Sequence, residues 1–200
     1  TYLRVLAAAG VPTVPTTWIG PSTRSGAAVL PGGELVVKPA ISSGAQNTSR
    51  YGRSDHAAAR RHVERLVSEG RVAMVQPYVT SVDGDGETGL IYIDGRFSHA
   101  VRKGPLLHAP GVATDRVWAL EDITPRAPET AERAVAEATL DALPWHRETL
   151  LYARIDLVRG PDGSPRLLEL ELAEPSLFLG LGGGATTRLA AAITARLRHH

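Results

Sequence analysis

Residues 150–178, LLYARIDLVRGPDGSPRLLELELAEPSLF, decide how the chain is read. Leu151 to Leu157 alternate cleanly, which puts Arg154 and Asp156 on one face of a strand. Gly160-Pro161-Asp162-Gly163 has turn chemistry. Arg166 to Leu172 alternate again, with Glu169 and Glu171 on one face and Leu168, Leu170 and Leu172 on the other. A hairpin folded about the midpoint of residues 162 and 163 sets Asp156 opposite Glu169. Directly opposed side chains have Cβ atoms roughly 4.5–5.5 Å apart, and like charges there repel. Three carboxylates on one sheet face therefore need a counter-charge. A hard divalent cation with oxygen ligands, most simply Mg²⁺, supplies it. A solvated acidic face, with Arg154 and Arg166 as partners, is the competing reading.

Two hundred residues fit one ordinary domain or two small lobes, enough to bury a core. A net charge of +1 argues against a nucleic-acid footprint, which needs a clustered basic excess. Without cysteine there are no disulfides, thiolate metal sites or cysteine catalysis. No apolar run approaches the roughly 18 residues of a membrane span, and no signal peptide opens the chain, so the cytoplasm is the expected location. Lysine occurs only at Lys38 and Lys103, against twenty arginines. Such a chain keeps lysine where a compact point charge is wanted, as on a phosphate, although base composition alone produces the same bias. The first residue, Thr1, already reads as helix. The expectation is a fragment whose N-terminal part is missing.

Along the chain, Leu3, Leu6 and Ala9 have helical spacing, and two prolines make residues 11–16 an extended connector. A strand, Glu34 to Lys38, ends on its lysine. Residues 41–53, ISSGAQNTSRYGR, form a polar loop that offers backbone N–H groups and hydroxyls to an anion, though a plain surface loop has the same composition. It is not a Walker A loop. A helix over 55–69 directs Ala59, Val63, Leu66 and Val67 to the core, and Val72 to Gln76 is a buried strand leading into Pro77-Tyr78-Val79. After a DGDG turn at 83–86, Glu87 to Ile93 and Arg96 to Lys103 make a hairpin across Asp94-Gly95. Residues 104–126 read as a loop or lid. A helix spans 129–143, and a last one spans 185–197 with Leu189, Ala192, Ile193 and Leu197 inward. The whole is α+β in two lobes, 1–79 and 80–200.

In chain order the motifs are a strand-end lysine with a Gly/Ser loop, Gln76-Pro77-Tyr78-Val79, Glu87, Arg102-Lys103, and the Arg-x-Asp … Glu-x-Glu hairpin. This order resembles the ATP-grasp superfamily, most nearly its D-alanine–D-alanine ligase and bacterial glutathione synthetase branches. Ser98 to Lys103 (SHAVRK) and Leu170 to Phe178 (LELAEPSLF) are similar to an actinobacterial group that includes the cycloserine-forming cyclo-ligase. The resemblance covers essentially the whole chain. It implies two α+β lobes enclosing a nucleotide site, ATP and Mg²⁺ as cofactors, and an amino-acid-like small-molecule substrate. It also implies a ligase that forms an amide or related C–N bond through an acyl phosphate.

Position by position, the resemblance implies that Lys38 contacts the ATP phosphates and that Ser42, Ser43 and Gly44 close over them. Backbone groups of Gln76 to Val79, including Tyr78, read the adenine. Glu87 binds the ribose, with Asp83 competing. Lys103, or Arg102 beside it, lies near the γ-phosphate, and Arg154 stabilises the transferring group. Asp156, Glu169 and Glu171 hold Mg²⁺; the family often has Asn in place of Glu171, which leaves the number of ions open. His99 and Ser176 are candidate substrate contacts. A lone His at a strand end and a Ser in a turn have structural readings as well. The branch has a preceding domain and a further phosphate-contacting lysine that this chain lacks, implying weak nucleotide binding by the fragment. A small-molecule kinase and a non-catalytic nucleotide-binding module are the alternatives.

Overall fold

The computed structural model describes residues 2–23, 29–42, 45–107, 122–173 and 175–198. Ser43, Gly44 and most of the 104–126 segment lie outside the described residues. The described residues fall into two compact units, one built from 14–80 and 105–107, the other from 2–13, 81–104 and 122–198. Helix α1 (Tyr2–Ala8) opens the chain.

The first unit is a four-stranded antiparallel sheet with one helix. Strands β1 (Thr17–Ile19), β2 (Leu35–Pro39), β3 (Ser49–Tyr51) and, after helix α2 (His56–Ser68), β4 (Ala73–Pro77) take the spatial order β1-β4-β2-β3. Helix α2 drives Ala59, Val63 and Leu66 onto Leu35, Val37, Ala73 and Val75. Strand β3 falls where the sequence indicates a loop, and β1 just beyond the 11–16 connector, where the sequence indicates no element. Each has three residues, too short for a periodic signature, and forms because a longer partner supplies its hydrogen bonds.

The second unit begins with a single helical turn, α3 (Val82–Asp85), where the sequence indicates a turn. Strands β5 (Glu87–Ile93), β6 (Arg96–Lys103) and β7 (Ile123–Arg126) precede helix α4 (Thr130–Asp141). Strands β8 (Tyr152–Arg159) and β9 (Pro165–Glu171) precede helix α5 (Ala185–Leu197). The sheet is antiparallel throughout, in the order β7-β6-β5-β8-β9. Helix α4 packs on β8 and β9, and α5 on β5 and β6. Ile91, Ile93 and Val101 meet Ala185 and Ala192 of α5. Leu189 packs there too, but Ile193 is 41% exposed and Leu197 73% exposed, against the inward reading. The helix turns its small residues to the sheet, which brings its backbone close.

Residues 2–13 join the second unit rather than 14–79. The edge of β9 explains this: Leu167 N–H donates to the Pro12 carbonyl, Thr13 pairs with Leu167, and Leu170 N–H reaches the Tyr2 hydroxyl. An unpaired strand edge is covered in this way. Leu168 also departs from its expected face. A bulge between the Asp156–Glu169 and Leu157–Leu167 pairs leaves Leu168 unpaired, so Leu167 and Leu170 enter the core.

Candidate functional site

The hairpin register places Asp156 opposite Glu169 and Arg154 opposite Glu171. Ligand atoms of Asp156, Glu169 and Glu171 all lie within 4.8 Å of one another. Asp156 is fully buried. Arg154 grips it through Nε (3.0 and 3.1 Å) and Nη2 (2.9 Å), and Nη2 also donates to Glu171. Arg166 instead pairs with Asp162 in the turn.

Two neighbouring strands complete the cluster. Glu87 pairs across β5 and β6 with Lys103, and Gly89 stands opposite Asp156. Lys103 Nζ therefore reaches Glu87 at 2.9 Å and Asp156 at 3.0 Å. Burial opposes the charge on Lys103, but Asp156 and Glu87 hold its pKa well above the ordinary value. Burial likewise raises Asp156, yet Lys103 and Arg154 hold it below the usual carboxylate range. Glu87 is raised by burial beyond what Lys103 restores. Glu171 is pushed up to about 6 by burial, against the pull of Arg154 and with the push of Asp156 and Glu169. Four carboxylates (Glu87, Asp156, Glu169, Glu171) gather about two cations (Lys103, Arg154).

That donor set fits Mg²⁺. All ligands are carboxylate oxygens that converge within reach of one ion, and Gly89, where a Cβ would come 3.0 Å from Asp156 Oδ1, lets the Asp156 carboxylate lie against β5.

The remaining sequence candidates fall in different places. Arg102, next to Lys103, points to the other face of β6. It holds the α3 turn through the Gly84 and Asp85 carbonyls, both at 3.0 Å, and pairs with Asp122. Ser176 is exposed, and its carbonyl accepts from Arg154 Nη1 at 3.1 Å. His99 is buried on β6 against residues 177–182. Asp83 is exposed on α3. In the first unit Lys38 is buried on β2 opposite Met74, and Ser42 is exposed. Gln76 turns its amide to Thr16 Oγ1 at 2.8 Å, and Tyr78 N–H donates to the Glu34 carbonyl while its ring lies under Arg50, 3.5 Å from the guanidinium carbon. Val79 is half-buried. The sequence reading missed Gly89, which belongs to no turn motif, and took Gly182 only as part of a flexible turn over 180–184. Only the packed fold shows what their missing side chains make room for.

No family model matches the chain. Among known proteins, the cycloserine biosynthesis protein DcsG of Streptomyces lavendulae is 42% identical over 207 residues, covering 98% of this chain and 69% of that protein. The crystal structure of the D-cycloserine synthetase DcsG superposes with a TM-score of 0.81 at 39% identity, again over 98% of this chain and 69% of that one. A structure of the ATP-grasp ligase PsnB with a precursor variant, Mg and ADP gives 0.61 at 25% identity, over 96% of this chain and 56% of that one. The D-alanine–D-alanine ligase of Bacillus anthracis, solved with ATP, shares the fold, with a TM-score of 0.63 at 17% identity over 99% of this chain and 65% of that one.

The chain belongs to the ATP-grasp ligase family, enzymes that couple ATP to C–N bond formation. Its α+β architecture and antiparallel sheets are those of the fold. No helix among the described residues is long and apolar enough to cross a membrane.

Proposed function

We propose that the chain activates a carboxylate of an amino-acid-like small molecule with ATP and closes a C–N bond on it, in the manner of a cycloserine-forming ligase. The observation that supports this most is the cluster of Asp156, Glu169 and Glu171 with Arg154 and Lys103, in a chain 42% identical to DcsG. ATP and Mg²⁺ are the cofactors of this reading. Asp156, Glu169 and Glu171 would hold the ion, which when bound supplies positive charge to the phosphate oxygens of ATP. Arg154 and Lys103, already fixed by Asp156, meet charge developing on the transferring phosphoryl group without reorganising. Lys38, with Ser42, Ser43 and Gly44, takes the phosphates. The backbone from Gln76 to Val79 takes the adenine, and Glu87 or Asp83 the ribose.

The substrate carboxylate attacks the γ-phosphorus, the bond to ADP breaks, and an acyl phosphate forms. A nitrogen nucleophile then displaces phosphate. Little covalent work falls to the protein, so positioning and charge carry the rate. A reaction that consumes ATP places the enzyme where ATP is made available, which is the cytoplasm.

Calorimetric titration with ATP, with and without Mg²⁺, tests the site. Wild type is expected to bind in a Mg²⁺-dependent way, and a Glu169→Gln, Glu171→Gln protein is expected to lose that dependence. Equal binding by both proteins would reduce the hairpin to an acidic sheet face. Hydroxylamine trapping then separates an acyl phosphate, which yields a hydroxamate, from a kinase product, which does not.

A further inference from the structure

The segment after the carboxylate hairpin is held at two successive carbonyls. Arg154 donates to Ser176 through Nη1 while its Nε and Nη2 hold Asp156. His99 Nε2 lies 2.9 Å from the Leu177 carbonyl. A carbonyl only accepts, so Nε2 carries the ring proton, and Nδ1 accepts from Ser98 Oγ, also 2.9 Å away. Arg188 fixes the direction of that second bond. Its Nη2 and Nε donate to Ser98 Oγ at 2.8 and 3.1 Å, which leaves the hydroxyl hydrogen for His99.

Neighbouring residues of a regular strand point apart. Ser98 reaches His99 because it is the extra residue of a bulge: Ile91 pairs with His99 and Tyr92 with Phe97. The far end of the segment closes against the same ring. A Cβ on Gly182 would come 2.7 Å from His99 Cδ2 and nearer still to Cγ and Nδ1. Gly182 has φ −103°, which any residue adopts, so the close approach of the ring, and not the backbone conformation, bars a side chain there.

We propose that His99 is a positioning residue for phosphoryl transfer: it fixes the segment from Ser176 to Gly182 and, through the Ser176 carbonyl, the Arg154 guanidinium against Asp156 and Glu171. Both ring nitrogens are engaged within the protein, so the imidazole holds a loop rather than exchanging a proton with substrate. Burial, helped by Arg188, keeps its pKa below the ordinary value and preserves the neutral tautomer. The catalytic consequence rests on the ligase reading; the coupling to Arg154 does not.

The deciding readout needs neither nucleotide nor metal. It is solvent exchange of the Arg154 Nε–H proton, followed in ¹H–¹⁵N spectra of the whole chain. His99→Ala is expected to speed that exchange about tenfold, as a local opening becomes easier. His99→Gln, whose amide nitrogen reaches the place of Nε2, is expected to restore it. Gly182→Ala should disturb Arg154 in the His99 protein and leave it unmoved when His99 is already Ala. For phosphate release from Mg-ATP, His99→Ala should lower kcat by about 10²-fold and change KM for ATP by less than about twofold. An Arg154 signal indifferent to His99→Ala, or a Gly182→Ala effect equal in both backgrounds, overturns the proposal. If His99→Ala does not fold, the other two variants decide: the Gln spectrum must match wild type and the Gly182→Ala spectrum must not. Absence of Mg-ATP binding by wild type would count against the ligase reading alone.

Discussion

The five-stranded sheet buries an ionic cluster on each face, and the two are built to different rules. On the face shared with Ile91 and Val101, four carboxylates surround Lys103 and Arg154. On the opposite face Glu132 of α4 accepts from Thr88 Oγ1 at 2.7 Å, from Arg126 at 3.2 Å and from the Glu129 N–H at 2.7 Å. There one carboxylate meets one cation, and both of its oxygens are used inside the protein. A balanced cluster of that kind serves the fold, tying α4 to β5 and β7. The other brings ligand atoms of three acids within 4.8 Å of one another, an arrangement that a bound cation would satisfy. Convergence of like-charged acids, more than burial or polarity, separates a site from a strut.

The largest expected effect comes from removing a cation from the carboxylate-rich cluster. Lys103→Met leaves Asp156 and Glu87 short of a cation and should cost about 3–5 kcal/mol of unfolding free energy in urea titrations. A loss no larger than that of a surface lysine would mean that water, not Lys103, solvates the cluster. Next is the balanced face. Glu132→Ala strands the Thr88 hydroxyl and Arg126 and should cost about 1–3 kcal/mol, with Mg²⁺-dependent ATP binding intact. Loss of nucleotide binding there would erase the distinction between the faces.

Smaller, and opposite in sign, is the change from Glu171→Gln, whose carboxyl burial, with Asp156 and Glu169, pushes up to about 6. Relief of repulsion should stabilise the ligand-free protein by roughly 0.2–1 kcal/mol while metal binding is weakened, a trade of function for stability. Smallest is the pH effect of Glu171. Its folded pKa of about 6 exceeds its ordinary 4.5, so the folded state binds the extra proton. Stability of the ligand-free protein from this group is therefore fully present below about 4.5 and lost as pH rises through about 6. Mg²⁺ affinity should rise over the same window, because the ligand must be ionised; calorimetry from pH 5 to 7 checks it, and a flat profile would remove Glu171 from the ligand set.

The acidic hairpin was legible because alternation and a Gly-Pro-Asp-Gly turn fix register together, and register decides which side chains face each other. Its bulge was not. Leu167 and Leu168 are chemically alike, so the choice of which one enters the core is made by packing. Strands β1, β3 and β7 exist through partners outside their own local stretch, and no local pattern announces them. In the site, the gathering of Asp156, Glu169 and Glu171 followed from one hairpin. The partnership of Lys103 with Asp156, 53 residues apart, required the register of three strands at once. The separation of Arg102 from Lys103 was available from strand alternation alone.

The strap over β9 also says something about time. Tyr2 and Leu170, joined by a hydrogen bond, are 168 residues apart. At roughly 5–20 residues per second, α1 leaves the ribosome about 8–34 s before the strand it covers has been made. The first unit, whose strands and helix lie within one short stretch of chain, has time to fold in that interval. The strand bearing Glu169 and Glu171 is the last of the sheet to be synthesised, so these two carboxylates are made after both cations of the cluster, Lys103 and Arg154.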